Sequence, residues 1–123
     1  MPTAIEQAGS QFTITRHPRA LVVSITEVHL RCDIDAEIMR YELLELIDET
    51  TPRLVIIDFS KVRFFSSAMI STLILVRQRL LEQQRLLAVS GMCVPMREVM
   101  NVMRLDDLID SHETVDDALA VHG

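Results

Sequence analysis

The sequence predicts a single α/β domain in which a mixed β-sheet of four to five strands, with an antiparallel N-terminal edge, is covered by about four helices. Three observations lead there. Two β-branched stretches flank a proline turn near the start, a continuous apolar run stands mid-chain, and helical patterns alternate with short strand-like runs beyond it. The 123 residues, 49% of them hydrophobic, supply one packed core and not two.

Residues 1–10 read as a flexible segment and 11–122 as the domain. Gln11-Phe12-Thr13-Ile14-Thr15 alternates in polarity, and Ala20-Leu21-Val22-Val23-Ser24-Ile25 is β-branched, with His17-Pro18-Arg19 between them as the turn of an antiparallel hairpin. From Asp35 to Asp48, Ile38, Tyr41, Leu44 and Ile47 recur every three residues, with Leu43 and Leu46 broadening the stripe of an amphipathic helix. Thr51-Pro52-Arg53 ends it. Leu54-Val55-Ile56-Ile57-Asp58 then has the uninterrupted apolar character of a central strand covered on both faces. A second helix is predicted from Ser66-Ser67 to about Gln83, with Met69, Leu73, Val76 and Leu80 on one stripe and Ile70, Ile74 and Leu81 beside it.

Leu86-Leu87-Ala88-Val89-Ser90 follows as a strand, and Gly91 as a turn. Pro95 is suited to the first position of a third helix that runs to about Met103. Leu108-Ile109-Asp110 reads as a short last strand. Thr114 is the expected N-cap of a terminal helix, with Asp116 and Asp117 in its first turn. Right-handed crossovers between successive strands make the later part of the sheet parallel.

Composition narrows the function. A net charge of −6 opposes binding to nucleic acid or to an anionic membrane surface, no apolar run is long enough to insert in a membrane, and the N-terminus lacks a secretion-signal pattern, so a cytoplasmic location is expected. Three glycines, Gly9, Gly91 and Gly123, leave no place for a GxGxxG or GxxxxGK[ST] phosphate loop. The chain also has no GxSxG, HExxH or EF-hand pattern. No catalytic residue and no cofactor are therefore assigned, and the acidic pairs Asp106-Asp107 and Asp116-Asp117 are read as helix-start residues. Cys32 and Cys93 are read as reduced thiols. His17, His29, His112 and His122 are too scattered in sequence to define a metal site. Met92, Met96, Met100 and Met103 recur at helical spacing and are read chiefly as core, with part kept as a contact surface.

The segment from Asp58 to Ile74 concentrates the functional signal: a strand end, a loop with Phe64 and Phe65, and a Ser-Ser pair opening an apolar helix. One serine suffices as a helix cap. A phosphoryl group on a serine here would meet the free N–H donors and positive dipole end of the helix, while the surface gained nearly two negative charges. At least one of Phe64 and Phe65 is expected to fold inward as a lid, and one exposed ring suffices for docking.

Over nearly its whole length the chain resembles the STAS domain, the family of anti-sigma factor antagonists. The resemblance rests on Asp58, Val62, Phe64 and Ser66-Ser67-Ala68-Met69-Ile70, on Leu30-Arg31-Cys32-Asp33-Ile34-Asp35 before the first helix with Cys32 at a glycine position, and on the tail from Pro95 to Ala118. Ser66 stands where the family carries an acidic residue, Ala68 where it carries a second hydroxyl, and Met69 where it carries glycine, which would add bulk beside the acceptor.

The resemblance implies Ser67 as phosphoacceptor, with Ser66 the alternative, and a partner-binding surface of Asp58, Phe64, Phe65, Ser66, Ser67, Ala68 and Met69. The implied partner is a kinase-type anti-sigma factor, a serine kinase of the ATP-binding histidine-kinase-like fold; a homodimer is compatible with it. The alternative it implies is an unphosphorylated scaffold subunit in a stressosome-like or ABC-transporter-associated assembly, favoured by Ser66, Ala68 and Met69.

Overall fold

The computed structural model describes residues 5–7, 9, 11–27, 29–30 and 33–122, with the backbone alone described at 29–30, 33–35 and 65. The expected flexible segment 1–10 falls largely outside these residues. Its Glu6–Gln7 pair forms strand β1, which pairs antiparallel with β2 (Phe12–Arg16). The predicted hairpin joins β2 to β3 (Ala20–Ile25), with Ile14 opposite Val23. The chain continues through β4 (His29–Leu30), α1 (Asp33–Glu49), β5 (Leu54–Asp58), β6 (Phe64–Phe65), α2 (Ser67–Glu82), β7 (Leu86–Ser90), α3 (Val94–Val102), a 3-10 turn at Leu105–Asp107, β8 (Asp110–His112) and α4 (Val115–His122).

The main sheet has six strands in the order β1-β2-β3-β5-β7-β8 rather than the four to five expected, and β4 and β6 form a separate parallel pair. The strands not expected, β1, β4 and β6, are two residues long each, too short to show a period in sequence. β5 lies between β3 and β7, parallel to both. Its Leu54, Val55, Ile56 and Ile57 are all buried because both faces of the sheet are covered. On one face Leu21, Val23, Val55, Ile57 and Val89 pack against α1, α2 and Met96 and Met100 of α3. On the other, Ala20, Val22, Leu54, Ile56 and Ala88 meet Ala118 and Leu119 of α4.

Helix α1 buries Ala36, Met39, Leu43, Leu46 and Ile47, while Ile38 and Tyr41 face solvent and Leu44 is half-buried. This corrects the expected stripe. A strict step of three residues falls about 60° short of a full turn each time, so such a row winds off the contact face, whereas steps of three and four stay on it. In α2 the expected Met69, Leu73, Val76 and Leu80 are buried with Ile70, but Ile74 and Leu81 are exposed. Each such buried aliphatic chain contributes about 2 kcal/mol. Met92, Met96 and Met100 are core and Met103 is exposed.

Arg85 anchors the far end of these helices. Its guanidinium is buried and donates to the carbonyls of Ile47 and Pro52, each at 2.7 Å, to Thr50 Oγ1 at 3.1 Å and to Gln83 Oε1 at 2.9 Å. It thereby satisfies carbonyls left open at the end of α1. The third helix starts one residue early, with Pro95 second rather than first. The last strand lies at Asp110–His112, displaced from Leu108–Asp110 because Leu108 and Ile109 both return their N–H groups to Leu105. Thr114 does cap α4, its Oγ1 accepting the Asp117 N–H at 3.1 Å.

Candidate functional site

Strand β5 ends at Asp58, beside the end of β7. The Asp58 carboxylate accepts the Ser60 N–H at 3.2 Å, the Ser60 hydroxyl at 2.8 Å and the Ser90 hydroxyl at 3.1 Å. These bonds occupy it in holding the loop that follows. Gly91, at φ +69, lets the chain turn against that loop; a Cβ there would stand 2.8 Å from Asp58 Oδ1 and 2.9 Å from the Ser60 backbone N. Phe59 and Val62 then turn inward and are buried in the main core.

After Val62 the loop rises to the surface. Lys61 and Arg63 are exposed, and the Arg63 carbonyl accepts a weak, 3.7 Å hydrogen bond from the thiol of Cys93 at the head of α3. Cys93 is a free thiol, whereas Cys32 lies outside the described residues. Strand β6 pairs Phe64 with His29 and Phe65 with Leu30, tying the approach to α2 to the approach to α1. Arg31 and Cys32, part of the family-like stretch before α1, also lie outside the described residues. The Phe64 ring is 49% exposed. The Phe65 side chain is outside the described part, so the inward-folding aromatic identified here is Phe59.

The two serines differ. Ser66 is the N-cap, extended at φ −84 and ψ 169, but it caps with its backbone: its carbonyl accepts the N–H groups of Met69 at 3.0 Å and Ile70 at 3.4 Å. Its hydroxyl oxygen is shielded from solvent and makes no hydrogen bond among the described residues. Ser67, the first helical residue, is exposed. With no side-chain cap, the N–H groups of Ser67 and Ala68 have no acceptor among the described residues, and the positive end of a 16-residue helix opens beside the Ser67 hydroxyl.

Ala68 is half-buried, and Met69 is fully buried in the main core. The expectation that Met69 touches a partner, or adds bulk beside the acceptor, is corrected: two residues beyond Ser67 on a helix is the opposite side, which here faces the sheet. The outward face contains instead Ser67, Ser71, Ile74, Gln78 and Leu81, all exposed and confined to about 80° of arc at 100° per residue. Sequence reasoning placed Ile74 and Leu81 beside the core stripe. Their i, i+7 relation to each other and to Ser67 was the available signal.

Histidines that seemed scattered are partly brought together, which corrects that expectation. Asp110 and His112 on β8 and His122 on α4 place one carboxylate oxygen and one nitrogen of each ring within 4.8 Å of one another.

The family model described as "Mlab, STAS domain" matches residues 12–110, and the chain belongs to the STAS domain family. No curated protein matches it significantly. Among solved structures it is similar to an anti-sigma-factor antagonist (STAS) domain protein from Planctomyces limnophilus, at 26% identity and TM-score 0.81 over 89% of this chain and 96% of that one. It also shares its fold with the phosphorylated form of the Bacillus cell fate determinant SpoIIAA, at 16% identity and TM-score 0.70 over 91% and 99% of the two chains. A sulfate transporter family protein from Wolinella succinogenes has the same fold, at 15% identity and TM-score 0.71 over 85% of each chain.

Proposed function

We propose that the protein is an anti-sigma factor antagonist that acts by docking rather than by catalysis, on a cytoplasmic kinase-type anti-sigma factor with an ATP-binding fold, and that phosphorylation of Ser67 switches the docking. One observation carries the reading: Ser67 is exposed at the head of a helix face that also exposes Ile74 and Leu81, with Phe64 just before it. Unphosphorylated, this face buries its apolar groups against the partner. Phosphate on Ser67 adds about −1.5 to −2 charges. The open N–H groups and helix dipole stabilise it in the free protein, so the fold persists, while a desolvated interface disfavours it. Ser66 is the poorer acceptor because its hydroxyl faces inward. Asp58 serves the site by holding the loop and Ala68 by spacing it, with Phe65 beside Phe64 on the same edge.

The test is phosphosite mapping after incubation with the partner kinase and ATP. Phosphate on Ser67 and loss of labelling in Ser67→Ala support the reading; labelling of Ser66, or none, opposes it.

A second reading is favoured by the absence of an acidic residue before Ser67. Here the same α2 face seats the domain permanently on a transporter-associated ATPase, with no phosphate involved. Ser67→Asp and Ser67→Ala would then assemble alike.

A further inference from the structure

Strand β8 is an edge strand of three residues, and α4, of eight residues, is the element that covers the second face of the sheet. Asp110 and His112 stand two apart on the strand and so project to one side of it. His122 comes from the last turn of α4, ten residues further on. The two imidazoles meet edge to face, with ring centroids 5.7 Å apart. Nε2 of His112 and Nε2 of His122 are both shielded from solvent, and neither makes a hydrogen bond. Asp110 Oδ2 lies 2.7 Å from His122 Nε2, in contact but without hydrogen-bond geometry.

A simple histidine–carboxylate pair accounts for part of this. It leaves the His112 nitrogen buried and unpartnered, at a cost of about 1–3 kcal/mol for such a group. A cation accounts for all three groups at once, since it takes a lone pair from each ring and from the carboxylate. We propose that Asp110, His112 and His122 form a divalent metal site. Two imidazole nitrogens and one carboxylate oxygen are the donors that Zn²⁺ accepts, and Co²⁺ can replace it; Ca²⁺ and Mg²⁺ call for oxygen donors throughout. At tetrahedral zinc, with bonds near 2.0–2.1 Å, neighbouring donor atoms are about 3.3 Å apart. The donors here, 2.7 Å apart in the closest named pair and all within 4.8 Å of one another, bracket that separation.

The three residues fill three positions and leave a fourth for water. The ion would join the end of α4 to β8 and so hold the helix against the apolar face built on Ala20, Val22, Leu54, Ile56 and Ala88. This site is independent of the α2 face and of any phosphorylation.

The test is calorimetric titration of the full chain, stripped with EDTA and dialysed, with Zn²⁺, alongside the visible d–d absorption of the Co²⁺-loaded protein. One Zn²⁺ per chain at micromolar affinity or tighter, four-coordinate cobalt bands and a melting temperature raised by about 5 °C or more at saturating zinc are expected. His112→Gln and His122→Gln should each weaken binding by about a hundredfold or more, and His17→Gln should leave it unchanged. Should His112→Gln fail to fold by circular dichroism, Asp110→Asn and His122→Gln decide the matter. No stoichiometric binding by the wild-type chain, or undiminished binding by His122→Gln, overturns the proposal.

Discussion

Ser90, the last residue of β7, donates its hydroxyl to Asp58, the last residue of β5, over 3.1 Å, and the two are also register partners in the sheet. This bond joins the two strand ends from which the loop to α2 departs.

Removing the carboxylate by Asp58→Ala leaves the Ser90 and Ser60 hydroxyls and the Ser60 N–H without their acceptor. The expected cost is about 2 kcal/mol in urea unfolding. Amide exchange should also quicken in residues 59–66, more than in the strands themselves. Partner affinity should fall with the loosened loop. Unchanged exchange in the loop would remove Asp58 from its positioning role.

Ile74→Glu and Leu81→Glu change exposed positions, so stability should stay within about 0.5 kcal/mol of the parent. If α2 docks along its outward face, each should weaken partner binding about tenfold or more, as charges placed in an apolar interface do. Ile38→Glu on α1 is the matched control and should bind normally.

Arg85 closes the opposite end of the fold. Arg85→Met should destabilise by about 3 kcal/mol, because the Pro52 carbonyl loses its donor and the Ile47 carbonyl keeps only the longer bonds from the Thr50 N–H and hydroxyl, each at 3.3 Å. Ser67 stands at the other end of the 16-residue α2, so its phosphorylation in the folded protein should be unaffected.

Asp48 links α1 to α2 by accepting Arg79 at 2.6 Å and Gln83 at 2.9 Å, and the Arg79 hydrogen bond foremost holds its carboxyl below the ordinary value of 3.8. A carboxylate whose folded pKa is depressed stabilises the fold above its unfolded pKa, and that contribution is lost as pH falls through the folded value. Stability of the parent should therefore drop more steeply than that of Asp48→Asn below pH 3.8, with little difference in that slope at neutral pH. The effect should shrink with added salt, since the pair is solvent-exposed. Parallel slopes below that pH would contradict the assignment.

The order of the major elements was legible because each carried a strong local signal. The apolar run at Leu54–Ile57, the turn at Pro18 and the cap at Thr114 are where the structure puts them. What escaped depends on contacts distant in sequence. A strand such as Glu6–Gln7 exists only because β2 offers it a partner. The burial of Met39 rather than Tyr41 reflects which side of α1 the sheet takes. At the proposed site, the Ser66-Ser67 pair was legible as a helix start, and the family resemblance singled out Ser67. The inward Ser66 hydroxyl and the meeting of His112 with His122 were not legible, since both follow from how separate elements pack.

In the proposed mechanism, charge at Ser67 controls which protein binds the α2 face. The most direct measurement is the affinity of the kinase-type anti-sigma factor for folded Ser67→Ala, Ser67→Asp and the stoichiometrically phosphorylated chain, compared at one salt concentration. The account predicts that Ser67→Ala binds like the parent, while the phosphorylated chain binds at least about thirtyfold more weakly, with Ser67→Asp between them. Equal affinity for all three, with each folded, would contradict it.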